Sequence, residues 1–363
     1  MMFHRRKGNG GIVCYLLAYR EPGYVRTRTI LASLRRHPAI KTVTAINRSR
    51  DWRRYFEMLF QLIILRIRED PRYYILGFRG HEIFFLVRLL TWGRVLIFDA
   101  MMSPYGALQE EGHYGPLGRW LAKGVRIHER WIFRASDGIW TDTMRHRQWM
   151  MATFGVPGEK IIGIPVGAEE SWPQPQAIPA HEMFQVLFYG TFLPLHGVSF
   201  IFEAARLLRH HRIRFTIIGG RADQRAWIQQ SVALGEGCIE HHHFVPFDEL
   251  LGNYIPKADL CLGGPFGQTP QASRIINGKT QQFLAMGKAV VVSHTDPADG
   301  FIDRVNCLIV PPADSQSLAE AILWAMDHPQ ELANIAAAGR HLYTQAFSVA
   351  RIGEIIHPLF GGA

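Results

Sequence analysis

Residues 263–293, GGPFGQTPQASRIINGKTQQFLAMGKAVVVS, decide the fold. A short strand pattern, 259–262, enters Gly263-Gly264. A Gly/Pro-rich loop follows, then a helical pattern over 279–286, then the unbroken apolar run 289–293, which reads as a strand covered on both faces. Strand, loop, helix and strand make one βαβ unit of a parallel sheet. Backbone amides of Gly267, Gln268 and Thr269 and of the helix start form an anion site, to which Arg274 and Lys279 add charge. A diphosphate is the fitting guest; a plain βα turn with solvated basic residues is the competing reading. The run QFLAM, 282–286, reads as core beneath the loop.

The alternation continues outward. Upstream lie strand patterns at 186–190, 215–220 and 239–245 and helical patterns at 198–210, 223–234 and 247–255; downstream lie strand 307–310 and helices 315–327 and 329–345. The front half repeats it with strands 12–17, 42–46, 74–77, 95–98, 138–141 and 160–165 and helices 27–36, 55–68 and 117–135. Between them EESWPQPQAIPAHE, 169–182, carries three prolines among polar residues and cannot continue a helix or central strand. The expected division is a Rossmann-like domain 1–168, a linker 169–184, a second Rossmann-like domain 185–345, and a segment 346–363 that crosses back to the first. Open parallel sheets bind ligands beyond their strand C-termini, so one shared crevice is expected.

Composition narrows the function classes. With 363 residues, 48% hydrophobic and 20% charged, the chain suits two globular domains. Cys14, Cys238, Cys261 and Cys307 lie far apart without CxxC spacing, which fits buried thiols in a reducing cytosol. The opening MMFHRRKGNGG lacks an apolar signal core, so export is not expected, and no apolar run reaches the roughly 20 residues of a spanning helix. The net charge of +9 is lopsided: residues 1–170 hold 27 Lys and Arg against 15 Asp and Glu, and the remainder 13 against 16. A basic front half suits a phosphorylated substrate, an anionic membrane face or nucleic acid, and equally a plain soluble surface. Nucleic acid is the weakest of these, since no zinc-finger spacing or RRM-type aromatic motif is present.

Candidate acceptor residues follow the front strands. Asp99 ends VLIFD, where a carboxylate can orient a hydroxyl or cap the next turn, and Ser103 and Tyr105 start the loop beyond. Asp142 repeats the geometry before a helix, where capping is the stronger reading. The loop REPGYVRTR, 20–28, offers Gly23 with Arg20, Arg26 and Arg28, suited to an acceptor bearing phosphate. WRRYF, 52–56, and the basic-flanked apolar helix after it suggest peripheral membrane contact or a core helix. Arg221, after Gly219-Gly220, is a candidate phosphate or base contact or a solvated loop residue. His241, His242 and His243 are consecutive on a strand and point alternately to opposite faces, which favours a structural role over zinc.

The segments FYGTFLPLHG (188–197), 266–292 and NCLIVPPADSQSLAEAI (306–322) resemble the donor domain of family 4 glycosyltransferases, retaining enzymes of GT-B fold. Asp99-Ala100 with Ser103 and Tyr105, Asp142-Thr143 and Pro165-Val166-Gly167 are similar, more diffusely, to the front domain of a bacterial subgroup. The resemblance implies two Rossmann-like βαβ domains facing across a cleft. It implies a nucleotide diphosphate sugar as co-substrate, a saccharide or lipid-linked acceptor, no cofactor and no essential metal, with His243 to Pro246, including Val245, beside the base. It implies donor contacts at Gly190 and in the loop after it. There, and beyond, this chain departs from the family: the usual Arg and Lys of the GR…KG loop correspond to Thr191 and His196, and the usual acidic pair to Arg274 and Gln282. A subgroup in which Arg274 and Lys279 supply the lost charge accounts for this, as does a donor-binding relative without turnover. An epimerase would need acid and base carboxylates that the loop lacks.

Overall fold

The strand patterns alternate with helices along the chain, and the described strands are all paired in parallel. The structure is a computed structural model that describes residues 9–110, 115–168, 182–293 and 296–360. They fall into two compact units, residues 1–169 with 349–363 and residues 170–348.

The first unit holds β1 (Asn9–Leu17), β2 (Lys41–Ile46), β3 (Pro71–Leu76), β4 (Val95–Asp99), β5 (Gly138–Thr141) and β6 (Ile161–Gly163), in the order β2-β1-β3-β4-β5-β6. Its helices are α1 (Val25–Arg35), α2 (Arg53–Arg68), α3 (Phe84–Leu90), α4 (Pro104–Glu110), α5 (Gly115–Ala135) and α6 (Met144–Phe154). β4 is buried along its whole length, as a strand covered on both faces must be. On one face pack Met58 and Leu62 of α2, Phe84 and Val87 of α3, and Ile132 and Phe133 of α5. On the other pack Ile30 and Leu34 of α1.

The second unit holds β7 (Phe184–Gly190), β8 (Ile213–Gly219), β9 (Ile239–His242), β10 (Leu260–Leu262), β11 (Ala289–Ser293) and β12 (Leu308–Val310), in the order β12-β11-β10-β7-β8-β9. Its helices are α7 (Val198–Leu207), α8 (Arg225–Leu234), the short turns α9 (Phe247–Glu249) and α10 (Ile255–Lys257), α11 (Gly278–Ala285), α12 (Ser315–Asp327) and α13 (Pro329–Ala346). The order runs out in one direction from β7 and in the other from β10, so the topological switch point lies between these two strands. Their C-terminal loops, 191–197 and 263–277, are where a doubly wound sheet places its ligand.

The chain then returns. Helix α14 (Val349–Ile356) packs on α1 of the first unit, with Ile352, Ile356 and Phe360 completing its second core face and His357 Nε2 lying 2.8 Å from the Ser33 carbonyl oxygen. The crossing back expected of 346–363 is therefore present over 349–360.

The expected helix 247–255 is instead α9 and α10 joined by a π-type turn, Leu250–Tyr254. Pro256 has no N–H to close the helical ladder there. Helices α3 and α4 were not legible in the residue pattern; α3 is apolar nearly all round, which hides its period. The greater part of the expected linker, 169–181, lies outside the described residues, and Phe184 already opens β7. All four cysteines are free and buried.

Candidate functional site

The two loops at the second unit's switch point interlock through glycines. A Cβ on Gly197, whose φ is +61°, would lie 2.4 Å from the Phe266 carbonyl carbon, and one on Gly267 would lie 2.3 Å from the Pro194 oxygen. Only the missing side chains allow the backbones to touch, and the Gly267 N–H donates to the Leu195 oxygen at 3.0 Å. Phe266 also accepts, through its carbonyl, from the Ala313 N–H at 2.8 Å.

Within this frame Lys279 occupies the first turn of α11 and points back to the end of β7. Its Nζ stands 4.0 Å from the centre of the Phe188 ring and has no hydrogen-bond partner among the described residues, although the residue is buried. His196 Nδ1 is likewise buried and without a partner. A Cβ on Gly190 would fall 3.0 Å from Lys279 Nζ and 3.2 Å from His196 Cε1, so the glycine leaves a space walled by an ammonium and an imidazole. Burial pulls the Lys279 amine down from 10.5 to about 7. Burial, and then the neighbouring Lys279 charge, hold the His196 imidazole well below its ordinary value. A buried amine without a counter-charge is costly; an anion placed between it and the start of α11 would remove that cost.

Gln282, one turn along α11, is buried and accepts from the Tyr189 hydroxyl, which fixes it against β7. Asn277, just before α11, donates to the Gly263 oxygen at 2.9 Å and ties the helix start to the loop. Thr269 Oγ1 accepts from the Ala272 N–H at 3.2 Å, so its hydroxyl shapes the loop. Arg274 is half-buried in the turn leading to α11, while Gln268 and Thr191 are exposed. Gly190, His196, Gly267, Lys279 and Gln282 are thus brought to one place. Arg221 is exposed, and its guanidinium holds Asp223 at 2.6 Å within its own loop. Val245 is half-buried after β9 beside the exposed Phe244. The histidine run divides as the strand alternation predicts, His241 Nε2 lying 2.8 Å from the Gly219 oxygen and His242 Nε2 2.7 Å from Glu240.

In the first unit the expected acceptor residues are differently arranged. Asp99 and Arg26, both expected to face an acceptor, are fully buried and joined to each other by two hydrogen bonds of 2.8 Å. Arg26 also donates to the carbonyl oxygens of Ile164 at 2.7 Å and Thr141 at 3.3 Å. The pair is a brace tying α1 to the ends of β4, β5 and β6: a bidentate guanidinium engages both carboxylate oxygens, and neither side chain reaches the surface. The cap of α6 is Thr143, whose Oγ1 accepts from the His146 N–H at 3.1 Å, while Asp142 Oδ1 lies 2.6 Å from His146 Nδ1. Burial alone would raise the Asp142 carboxyl, but His146 and Arg26 keep it below its ordinary value. Ser103 Oγ and the Tyr105 N–H both donate to Glu129 Oε2 on α5, at 2.9 and 2.8 Å. Glu129 was not legible as a partner in the sequence; its other oxygen faces His81 Nε2 at 3.3 Å. Arg20 and Gly23 lie exposed in the loop after β1, and a Cβ on Gly23 would meet nothing within 4 Å. Space therefore does not require a glycine at 23.

Residues 184–328 match the family described as Glycosyl transferases group 1. No curated protein matches the chain. Among solved structures, HepE of Anabaena in complex with UDP and glucose superposes with a TM-score of 0.69 at 13% identity, covering 97% of this chain and 100% of that one. Sucrose-phosphate synthase of Thermosynechococcus elongatus gives 0.69 at 15% identity, covering 96% and 98%. A glycosyltransferase of Rickettsia africae gives 0.64 at 11% identity, covering 96% and 97%. The fold they share with this chain is GT-B, with two Rossmann-like parallel sheets.

Proposed function

We propose that the protein is a glycosyltransferase that moves a hexose from a nucleotide diphosphate sugar to a saccharide or lipid-linked acceptor. The observation that carries this reading is the unpartnered Lys279 and His196 pair, buried against Gly190 at the switch point of the second sheet. The family match over that unit, and the UDP and glucose held by the Anabaena relative, support a UDP-linked donor. In this reading Lys279 and the first turn of α11 neutralise the charge that develops on the departing diphosphate, with neither metal nor cofactor. The Gly267, Gln268 and Thr269 amides and Arg274 complete its cradle, and Gln282, one turn further along α11, is a further donor contact. Retention of configuration, a role in surface polysaccharide or glycolipid synthesis, and a place at the cytoplasmic membrane face extend the same reading.

A screen of UDP-, GDP- and ADP-sugars by thermal shift tests it, since a ligand that binds only the folded state raises the melting point. Stabilisation by one donor class and its slow hydrolysis or transfer are expected; a protein that neither binds nor consumes any donor refutes the proposal. A donor-binding subunit without turnover is the second reading. It is favoured by Arg274 and Gln282 standing where the family carries acidic residues, and binding without any consumption would select it.

A further inference from the structure

The first unit has a surface that its own core does not use. Of twenty-two large hydrophobic side chains exposed among the described residues, thirteen lie on α2, α3 and α5 or beside their ends. Helix α3 touches both α2 and α5, and all three bury their inner faces in one core cluster. Their outer faces therefore lie side by side on one side of the sheet. Along α2, Trp52, Phe56, Phe60 and Ile67 recur at helical spacing and are 64–77% exposed. Leu89 on α3 and Trp92 just after it continue the surface, as do Trp120 and Trp131 on α5, the latter two 70% and 57% exposed. Phe85 of α3 meets His128 of α5 with ring centres 5.6 Å apart, which joins the two helices at the surface. Apolar patches of this extent mark an interaction face on a protein otherwise built to be covered by water.

The charges around it are mostly basic. At about 100° per residue, Lys123, Arg126, Arg130 and Arg134 form a stripe adjoining that of Trp120, Ile127 and Trp131, and all four basic residues are exposed. The α5 carboxylate, Glu129, is turned fully inward. Arg53 and Arg68 stand exposed at the two ends of α2, whose Glu57 is engaged by Ser49 and the Arg48 N–H. The exposed carboxylates beside this face are Glu82, before α3, and Asp51, which pairs with Arg53 at the start of α2. Among the described residues no helix is long and apolar enough to cross a membrane. An apolar centre set with indoles and rimmed by cations matches acyl chains framed by anionic headgroups, and amphipathic helices of this kind lie in the plane of the interface.

We propose that the outer face of α2, α3 and α5 docks on the surface of a bilayer containing anionic lipid. The inference deepens the lipid-linked acceptor of the proposed function and rests on it for its purpose only; every residue in it belongs to the first unit and none to the donor site. The test is flotation of the full chain with phosphatidylcholine vesicles and with vesicles containing roughly one-third phosphatidylglycerol. Expected is binding to the anionic vesicles only, weakened by salt, and reduced about tenfold or more by Trp92→Glu with Trp120→Glu and by Arg130→Glu with Arg134→Glu. Both pairs should keep the wild-type melting point and donor-induced shift. Absence of flotation, equal binding to neutral vesicles, or binding unchanged in both pairs overturns the proposal. So does a dimer in light scattering that the tryptophan pair abolishes while no vesicle binding is seen, which would assign the face to a second copy. A protein that floats but shows no donor shift would instead refute the donor-site reading alone.

Discussion

Replacing Lys279 with methionine should make the ligand-free protein more stable and the donor-bound protein less so. The amine ionises at about 7 in the folded chain against 10.5 ordinarily, a displacement equivalent to about 5 kcal/mol of unfavourable burial when the group is charged. Because the folded value is the lower, folding expels a proton between about pH 7 and 10.5. The penalty is full below about pH 7 and fades as pH rises through that window. Methionine keeps the stem and discards the charge. Allowing for imperfect repacking, a gain of at least about 2 kcal/mol is expected near pH 7, a rise of about 5 °C in the melting point of a unit this size. The advantage should shrink to less than half by about pH 9, where wild-type Lys279 folds in largely neutral. Scanning calorimetry of wild type and variant at both pH values, with and without UDP-glucose, reads all of this. A K279M protein that melts lower than wild type near pH 7, or that retains the full donor-induced shift, would show that the buried ammonium is not held for an anion.

Donor affinity should itself depend on pH. The diphosphate of UDP-glucose keeps a constant charge across neutrality, so calorimetric affinity should fall from about pH 7 to 9, by up to about tenfold per unit, as the free amine loses its proton; a flat profile argues against Lys279 as the contact. Arg274→Ala should weaken UDP-sugar binding by about 2 kcal/mol, the worth of one charge-assisted hydrogen bond, and unchanged affinity would mean that the diphosphate lies elsewhere. Asp99→Ala should lower the melting point by about 10 °C, in line with the roughly 3–5 kcal/mol lost when one partner of a buried pair is removed; a purely kinetic effect with full stability would restore an acceptor role. Gly267→Ala should destabilise by about 2 kcal/mol or more and abolish donor binding together, because its Cβ would drive apart the two loops that build the site; normal melting with normal binding refutes the interlock.

How far the residues alone reveal such a site depends on how far apart in the chain its parts lie. The Gly263–Gly264 loop, α11 and β11 were legible because they are consecutive: glycine, helical period and apolar run follow one another within a single βαβ unit. Lys279 was legible too, as a cation at a helix start. That His196 would stand beside it was not, because the meeting depends on β7 and β10 being neighbours, which the order of strands in the chain does not state. The same blindness explains Asp99. Its position at a strand end is legible, but its partner Arg26 lies 73 residues away, and nothing in the sequence pairs the two until the sheet order brings the start of α1 to β4. Arg221 shows the opposite case: its partner, Asp223, is only two residues away, so the pairing is local to one loop. Glu129 looked like one more polar residue on an amphipathic helix. Only the packing of α5 against the loop after β4 reveals it as the acceptor for Ser103 and Tyr105.

The return of α14 to the first unit affects the order in which the protein is made. Ile352, Ile356 and Phe360 close the side of the first sheet on which Ile30 and Leu34 lie, yet the ribosome delivers them after the whole second unit. Until then the nascent first unit has one finished side and one open one, in need of a chaperone or of transient cover. The second unit, by contrast, is continuous in sequence and can fold as it emerges. Expression of 1–168 by itself should accordingly yield aggregating material, and a rearranged gene that places 349–360 ahead of β1 should yield a first unit able to fold without waiting.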